Sequence, residues 1–184
     1  IGKVNAAICT QILVDNYSVD GVINTGVAGS LRNEINIGDI VLSTDALQHD
    51  MDATGFGYEV GVIPRMESSI FEGDKEMIEK ASMACAREIP DVGVYKGRVV
   101  SGDQFVSDLS KKEWLVQTFD GYCTEMEGAA IAQAAYLNNI PFLIIRAISD
   151  KADQSAQMAY SEFEVLAIDN TVKLLMELIK EINN

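Results

Sequence analysis

Two carboxylates flank a methionine in CTEMEGAAIAQAAY, residues 123–136, immediately before a run of small apolar residues with helical character. Glu125 and Glu127 in that stretch, and Asp150 at the end of PFLIIRAISD, are acids set where the chain otherwise buries itself. A carboxyl group in such a place has two chemical uses. Ionised, it holds hydroxyl groups and steadies positive charge; desolvated, its pKa rises and it donates a proton. Arg146 ends a strongly apolar run and needs an anionic partner, because a buried guanidinium alone is costly; Glu125 is a candidate. Each acid also has a plainer use. The glutamates suit the positive end of a helix dipole, and Asp150 suits the cap of a following turn. His49, the one histidine, reads as bonding locally to Asp50 or Asp52 rather than as a catalyst.

These groups need elements that bring them to one place. DGVINTGVAGS passes from a short β-branched run, Val22 and Ile23, into a loop holding Gly26 and Gly29. That loop matches neither GxxxxGK[ST] nor GxGxxG, so it is read equally as a tight turn and as a place where backbone approaches a ligand. IGDIVLSTDALQHD gives a second strand behind a Gly38–Asp39 turn, and VGVYKGRVVSGDQF a third that ends at Ser101, Gly102 and Asp103. The run Phe142 to Ile145 is continuous, as expected for a strand buried on both faces. Helical spacing marks residues 3–17 as amphipathic, 74–88 with Met77, Ile78, Ala81, Ala84 and Cys85 on one face, 109–119, and about 161–182. Residues 53–64, with Gly55, Gly57 and Gly61, read as a loop or irregular hairpin, and the acidic stretch 67–79 as a solvated face. Alternating strands and helices without repeats or a linker predict one α/β domain over residues 1–184, with a mixed or mainly parallel sheet and its ligand beyond the carboxyl ends of the strands.

Composition narrows the function. With 14 basic and 28 acidic residues the net charge is −14, which repels nucleic acid and anionic membrane surfaces and favours a small neutral or cationic ligand. Three cysteines without a CxxC pair imply reduced thiols in a cytoplasmic protein, and one histidine argues against zinc. No apolar run approaches the roughly 20 residues of a membrane span. The sequence opens at Ile1, not at methionine, and enters a helix at once; an N-terminal segment is therefore expected to be missing.

INTGVAGSL, IGDIVLS, FGYEVGVIP, VSGDQF, TEMEGAAIA and IRAISDKAD, in that order, resemble the 5′-methylthioadenosine/S-adenosylhomocysteine nucleosidases of the purine nucleoside phosphorylase superfamily, over essentially the whole chain. The resemblance implies a nucleoside phosphorylase-like α/β/α fold in three layers around a mixed, mainly parallel sheet. It implies hydrolysis of an adenine thionucleoside to adenine and a 5-thioribose through an oxocarbenium-like cation, a place in methionine salvage, no cofactor, and a homodimer. Asp150 takes the role of general acid toward the adenine, oriented by Ser149. Glu127 and the Met126 backbone hold the ribose hydroxyls, while Glu125 and Arg146 help to position the attacking water. Phe105 stacks on the base and the Val106 backbone reads it, with Ala28 and Gly29 lining sugar and base. Phe56, Pro64 and Tyr160 match the apolar 5′-alkylthio pocket, the first two reaching the site of the partner subunit. The family's water-activating glutamate lies near the N-terminus, upstream of Ile1, so no residue here receives that role. Val27 stands where many members have serine, which removes a hydroxyl near the sugar. A nucleoside phosphorylase, a futalosine-type or AMP-type nucleosidase, and a nucleoside-binding module without turnover are the alternatives.

Overall fold

A computed structural model describes residues 1–154 and 156–182, without the side chains of 157–162, 164–167, 169 and 170. In chain order the elements are α1 (Lys3–Asn16), β1 (Val22–Ser30), β2 (Ile40–Gln48), β3 (Phe71–Glu72), α2 (Lys75–Glu88), β4 (Val94–Ser101), α3 (Leu109–Phe119), β5 (Cys123–Glu125), α4 (Gly128–Leu137), β6 (Phe142–Asp150) and α5 (Ala156–Ile182). The six strands lie in the order β3-β2-β4-β5-β1-β6. Its long ladders, β1 with β6 and β2 with β4, are parallel. Antiparallel pairing of β2 with β6, Ile40 to Leu42 against Ala147 to Ile145, turns the twisted sheet back on itself.

β6 shows why the layers form. All nine of its residues are buried. Successive side chains of a strand point to opposite faces. Phe142, Ile144 and Ile148 accordingly pack with Ala129, Ala132 and Ala135 of α4, whose small side chains permit close approach. Leu143, Ile145 and Ala147 pack on the other side with Ile78, Ala81, Ala84 and Cys85 of α2 and with Leu174 and Leu178 of α5. Three layers follow from that alternation. Burying one such aliphatic side chain is worth about 1.5–3 kcal/mol, so β6 is a principal source of cohesion. α2 and α3 start where their sequences provide caps: the Asp74 carboxylate accepts from the Met77 amide and that of Asp108 from the Lys111 amide.

Four expectations change. Gly26 and Gly29 lie inside the nine-residue strand β1, not in a loop. α1 forms as expected and lies against α4, but its amphipathic reading fails: Thr10 is buried while Val4 and Ile8 are 68% and 54% exposed. Residues 53–64, by contrast, are the loop expected, irregular apart from a single 3₁₀ turn at Thr54–Phe56. The acidic stretch 67–79 is not all solvated face, because Phe71 is completely buried in β3, which pairs with the edge of β2. The last helix starts at Ala156, about five residues earlier than its spacing suggests.

Candidate active site

β1 lies between β5 and β6, and this placement brings separate acids together. Gly29 is registered opposite Thr124 on one side and Asp150 on the other. Glu125 is the last residue of β5 and Glu127 immediately precedes α4. The Glu125 carboxylate is surrounded by donors. Its Oε2 accepts from the amides of Glu127 at 3.0 Å and Gly128 at 2.8 Å, and from the Arg146 guanidinium. Its Oε1 accepts from the Ser101 hydroxyl, whose oxygen accepts in turn from the Ala129 amide at 2.7 Å. Glu125 thus terminates the helix that follows it, through two otherwise unpaired amides. Glu127 makes no such cap with its side chain. Its Oε1 accepts from the Gly2 amide at 2.8 Å, and its Oε2 lies 3.8 Å from Arg146 Nη2.

Arg146 is nearly inaccessible, as is its partner Glu125. Its Nη2 donates also to Asn24 Oδ1, and its Nη1 to the Val27 carbonyl at 3.5 Å. The strand position of Gly26 has its explanation here: a Cβ on it would stand 2.1 Å from Arg146 Nη1. At Gly29 a Cβ would stand 2.8 Å from Asp150 Oδ1 and 2.9 Å from the Ala152 Cβ. Both glycines make room for a charged group from the neighbouring strand.

Asp150, the last residue of β6, is buried and has one neutral donor on each oxygen. Ala152 N donates to Oδ1 at 2.8 Å and Ser149 Oγ to Oδ2 at 2.9 Å. Burial raises its pKa above the ordinary carboxylate value; the two hydrogen bonds oppose the shift without cancelling it. The turn after it is tight, with Ala152 in the left-handed region at φ 50°.

A cavity of about 320 Å³ opens at these strand ends, the size of a small-molecule site. Glu125, Met126 and Glu127 form one wall; Ala28, Gly29, Ser149 and Asp150 form another. Phe105 and Val106 close it from the segment after β4. Arg146 sits behind the wall, holding Glu125. Phe56 and Pro64 are not brought to this cavity within the chain, and Phe56 is 87% exposed. Tyr160 has its side chain outside the described residues. Val27, expected near the sugar, lines the cavity, as do Ile1, Gln104 and Thr124, which carry no signal for it in the sequence. Ser101, at the end of β4, is a buried partner of Glu125 whose one signal in the sequence is the SGD triplet after the apolar run, where polar groups enter the core. His49 bonds to neither Asp50 nor Asp52. Its ring is buried without a hydrogen-bond partner among the described residues, packed so that a Cβ on Gly102 would stand 2.4 Å from it. Asp50 is engaged instead by Lys3 and by the Asp103 amide, and Asp52 by Thr54. Among the described residues no group of His, Cys, Asp and Glu is arranged to hold a metal ion, and no helix is long and apolar enough to cross a membrane.

Comparison with known proteins gives this arrangement its relatives. Residues 1–180 match the model of the phosphorylase superfamily. The 5′-methylthioadenosine/S-adenosylhomocysteine nucleosidase of Bacillus subtilis is 39% identical over 184 residues, covering 100% of this chain and 79% of that protein. The crystal structure of the corresponding nucleosidase from Neisseria meningitidis, in complex with methylthio-immucillin-A, is similar with a TM-score of 0.93 and 40% identity, over 98% of this chain and 78% of that one. Futalosine hydrolase of Helicobacter pylori also has a TM-score of 0.93, at 31% identity over 98% of this chain and 76% of that one. With its acids converging at the strand ends and this degree of identity along its length, the chain belongs to the phosphorylase superfamily and, within it, to the 5′-methylthioadenosine/S-adenosylhomocysteine nucleosidases.

Proposed function

We propose that this protein hydrolyses the N-glycosidic bond of 5′-methylthioadenosine and S-adenosylhomocysteine, releasing adenine and the 5-thioribose. The observation that carries the reading is the convergence in one cavity of a buried aspartic acid with a raised pKa and a partly accessible glutamate. Cleavage leaves electrons on the base and positive charge on the sugar. Asp150, in its protonated form, donates to the departing adenine, and Ser149 fixes the carboxyl group from the side. Glu127 accepts from the ribose hydroxyls, next to the Met126 backbone, and its negative charge favours the oxocarbenium-like sugar. Arg146 holds Glu125 rigid, and Glu125 with its donors frames the place of the attacking water. The base that takes the proton from this water is not assigned to any of these groups. Phe105 offers a ring to the adenine and Val106 its backbone, while Ala28 and Gly29 let the nucleoside lie close against β1.

Phosphorolysis would need cations at the site. Among the described residues lining the cavity there is neither lysine nor arginine; Arg32, Arg87 and Arg98 are paired with carboxylates elsewhere, and Arg146, behind the wall, is taken up by Glu125. The deciding experiment incubates full-length protein with 5′-methylthioadenosine with and without phosphate. Adenine release that does not depend on phosphate is the expected result; phosphate-dependent formation of a sugar 1-phosphate overturns it. Binding without turnover would favour a module that only holds the nucleoside. Including futalosine and AMP in the same assay ranks the substrates.

We also infer a homodimer of one domain per chain, working in the cytoplasm in methionine salvage. Val4, Ile8 and Ile12 form an exposed i, i+4, i+8 stripe on α1 beside the exposed Leu137 of α4, and a second copy would cover that apolar face. The strongly exposed Phe56, with Pro64, would then reach the neighbouring subunit's site, as would suit an alkylthio group. Three free cysteines, two of them buried, accord with a reducing compartment.

A further inference from the structure

The turn that follows β6 is held from outside the cavity by a side chain with no part in the reading above. Lys112, on α3, is 7% exposed, unusual for a lysine, and its ammonium donates to the Lys151 carbonyl at 2.7 Å. That carbonyl belongs to the peptide leading into Ala152, whose amide donates to Asp150 Oδ1 and whose own backbone is in the left-handed region. The lysine, the strained alanine and the acid are therefore connected through consecutive bonds. The ammonium also interacts electrostatically with Asp150 itself.

We propose that Lys112 is a positioning residue for Asp150: its ammonium pins the turn that aims the carboxyl group and sets a buried positive charge beside it. The proposal rests on the reading of Asp150 as the general acid. Among the described residues, the groups facing Asp150 are the Ser149 hydroxyl, the Ala152 amide, Asp153 and Lys112. Those facing Lys112 are Asp150, Lys151 and Asp153. The Lys151 ammonium turns away to the carbonyls of Asn33 and Ile35, and Lys111, next to Lys112 on α3, lies over the Trp114 ring. From β1 the site is met by Ala28 and Gly29, which carry no charge. Lys112 therefore opposes both burial and Asp153, which make Asp150 hold its proton. An acid that must give up a proton in each turnover gains from such a counterweight.

The test compares the parent with Lys112→Met and Lys112→Arg. The Asp150 carboxyl is titrated by carbon-13 NMR, its signal assigned by its loss in Asp150→Asn, and kcat and KM for 5′-methylthioadenosine are followed over pH. In Lys112→Met the Asp150 midpoint is expected to move up by about 0.5–1 unit, with the alkaline limb of kcat moving alongside it. kcat at pH 7 should fall on the order of tenfold with KM little changed, as a misaimed acid implies. Lys112→Arg should restore the midpoint. An unchanged midpoint in Lys112→Met overturns the proposal, whatever its rate; should that variant not fold, Lys112→Gln is judged by the same criterion. Failure of the parent to cleave the nucleoside would instead sink the assignment of the reaction, while the titration would still decide the role of Lys112.

Discussion

Glu125, at the end of β5, and Asp150, at the end of β6, are both almost completely buried, yet what surrounds them differs. Glu125 accepts from two amides, a hydroxyl and a guanidinium. Asp150 has two neutral donors and burial that pushes its pKa up. The first site matches a carboxylate with donors on every side and an opposite charge in contact. The second leaves a carboxyl group inclined to keep its proton. One strand lies between them, so the difference comes from the immediate surroundings: Glu125 meets the first amides of α4 and a guanidinium, Asp150 a turn amide and a hydroxyl. Two acids in one cavity can thus serve opposite ends of a glycosidic bond.

The largest effect that tests this contrast is on rate at Asp150. Asp150→Asn keeps the shape and removes the proton, so adenine release should fall by about 10²–10⁴-fold. Its folding should not suffer. A carboxyl group with a raised pKa in the fold binds its proton more tightly than the unfolded chain does, so its contribution is lost as pH rises through the native value. The neutral amide avoids that loss, and the thermal midpoint of Asp150→Asn at pH 7 is expected to equal or exceed that of the parent. Near-normal turnover would remove Asp150 from the acid role, and a lowered midpoint would contradict the raised pKa.

Glu125 should show the reverse. Glu125→Ala strands Arg146, whose Nε already lacks a partner among the described residues, and a buried charge left uncompensated costs about 3–5 kcal/mol. Urea denaturation reads this directly; a loss below about 1 kcal/mol would mean that Arg146 finds another partner. Glu127 is intermediate, with a partly accessible side chain that leaves no charge stranded. Glu127→Gln should cost about 2–4 kcal/mol in kcat/KM and little in stability. Equal losses in both measurements would show that its bond to the Gly2 amide, and not the sugar, is what it serves.

The same contrast separates what the sequence makes legible from what it hides. β6 is plain in the sequence because nine consecutive buried positions leave an uninterrupted apolar run. α2 is plain because its apolar residues recur every three or four positions and Asp74 caps it. The Arg146–Glu125 pair is legible from a single rule, that a buried guanidinium requires an anion. The strand character of Gly26 and Gly29 is not, since glycine carries no preference for a strand and its reason lies in side chains 120 residues onward. β3 has two residues and β5 three; β3 exists through its pairing with β2, and β5 through its pairing with β4 and β1 on either side. Phe56 and Pro64 are not among the described residues that line the cavity, and no local pattern in the sequence marks that separation. Local pattern reports burial and caps, whereas contacts made only by the assembled sheet leave little local trace.

His49 tests Asp150's side of the comparison with a base in place of an acid. It is buried with neither ring nitrogen bonded among the described residues, and burial lowers its pKa to about 4 from 6.5, with Lys111 contributing. The fold favours the neutral ring, just as it favours neutral Asp150. Below pH 6.5 the unfolded chain takes up a proton that the native ring refuses, so stability contributed by His49 is lost as pH falls from about 6.5 toward about 4. The loss amounts to about 3 kcal/mol at the lower end, at 1.36 kcal/mol for each unit. Asp150 loses its contribution as pH rises, so the two groups confine the stable range from opposite sides. His49→Asn, which cannot be protonated, should flatten the acid side of the stability curve measured by urea denaturation between pH 4 and 7, and leave the alkaline side unchanged. An acid side of unaltered slope would show that the ring titrates as it does in water, and that burial without hydrogen bonds does not govern this base.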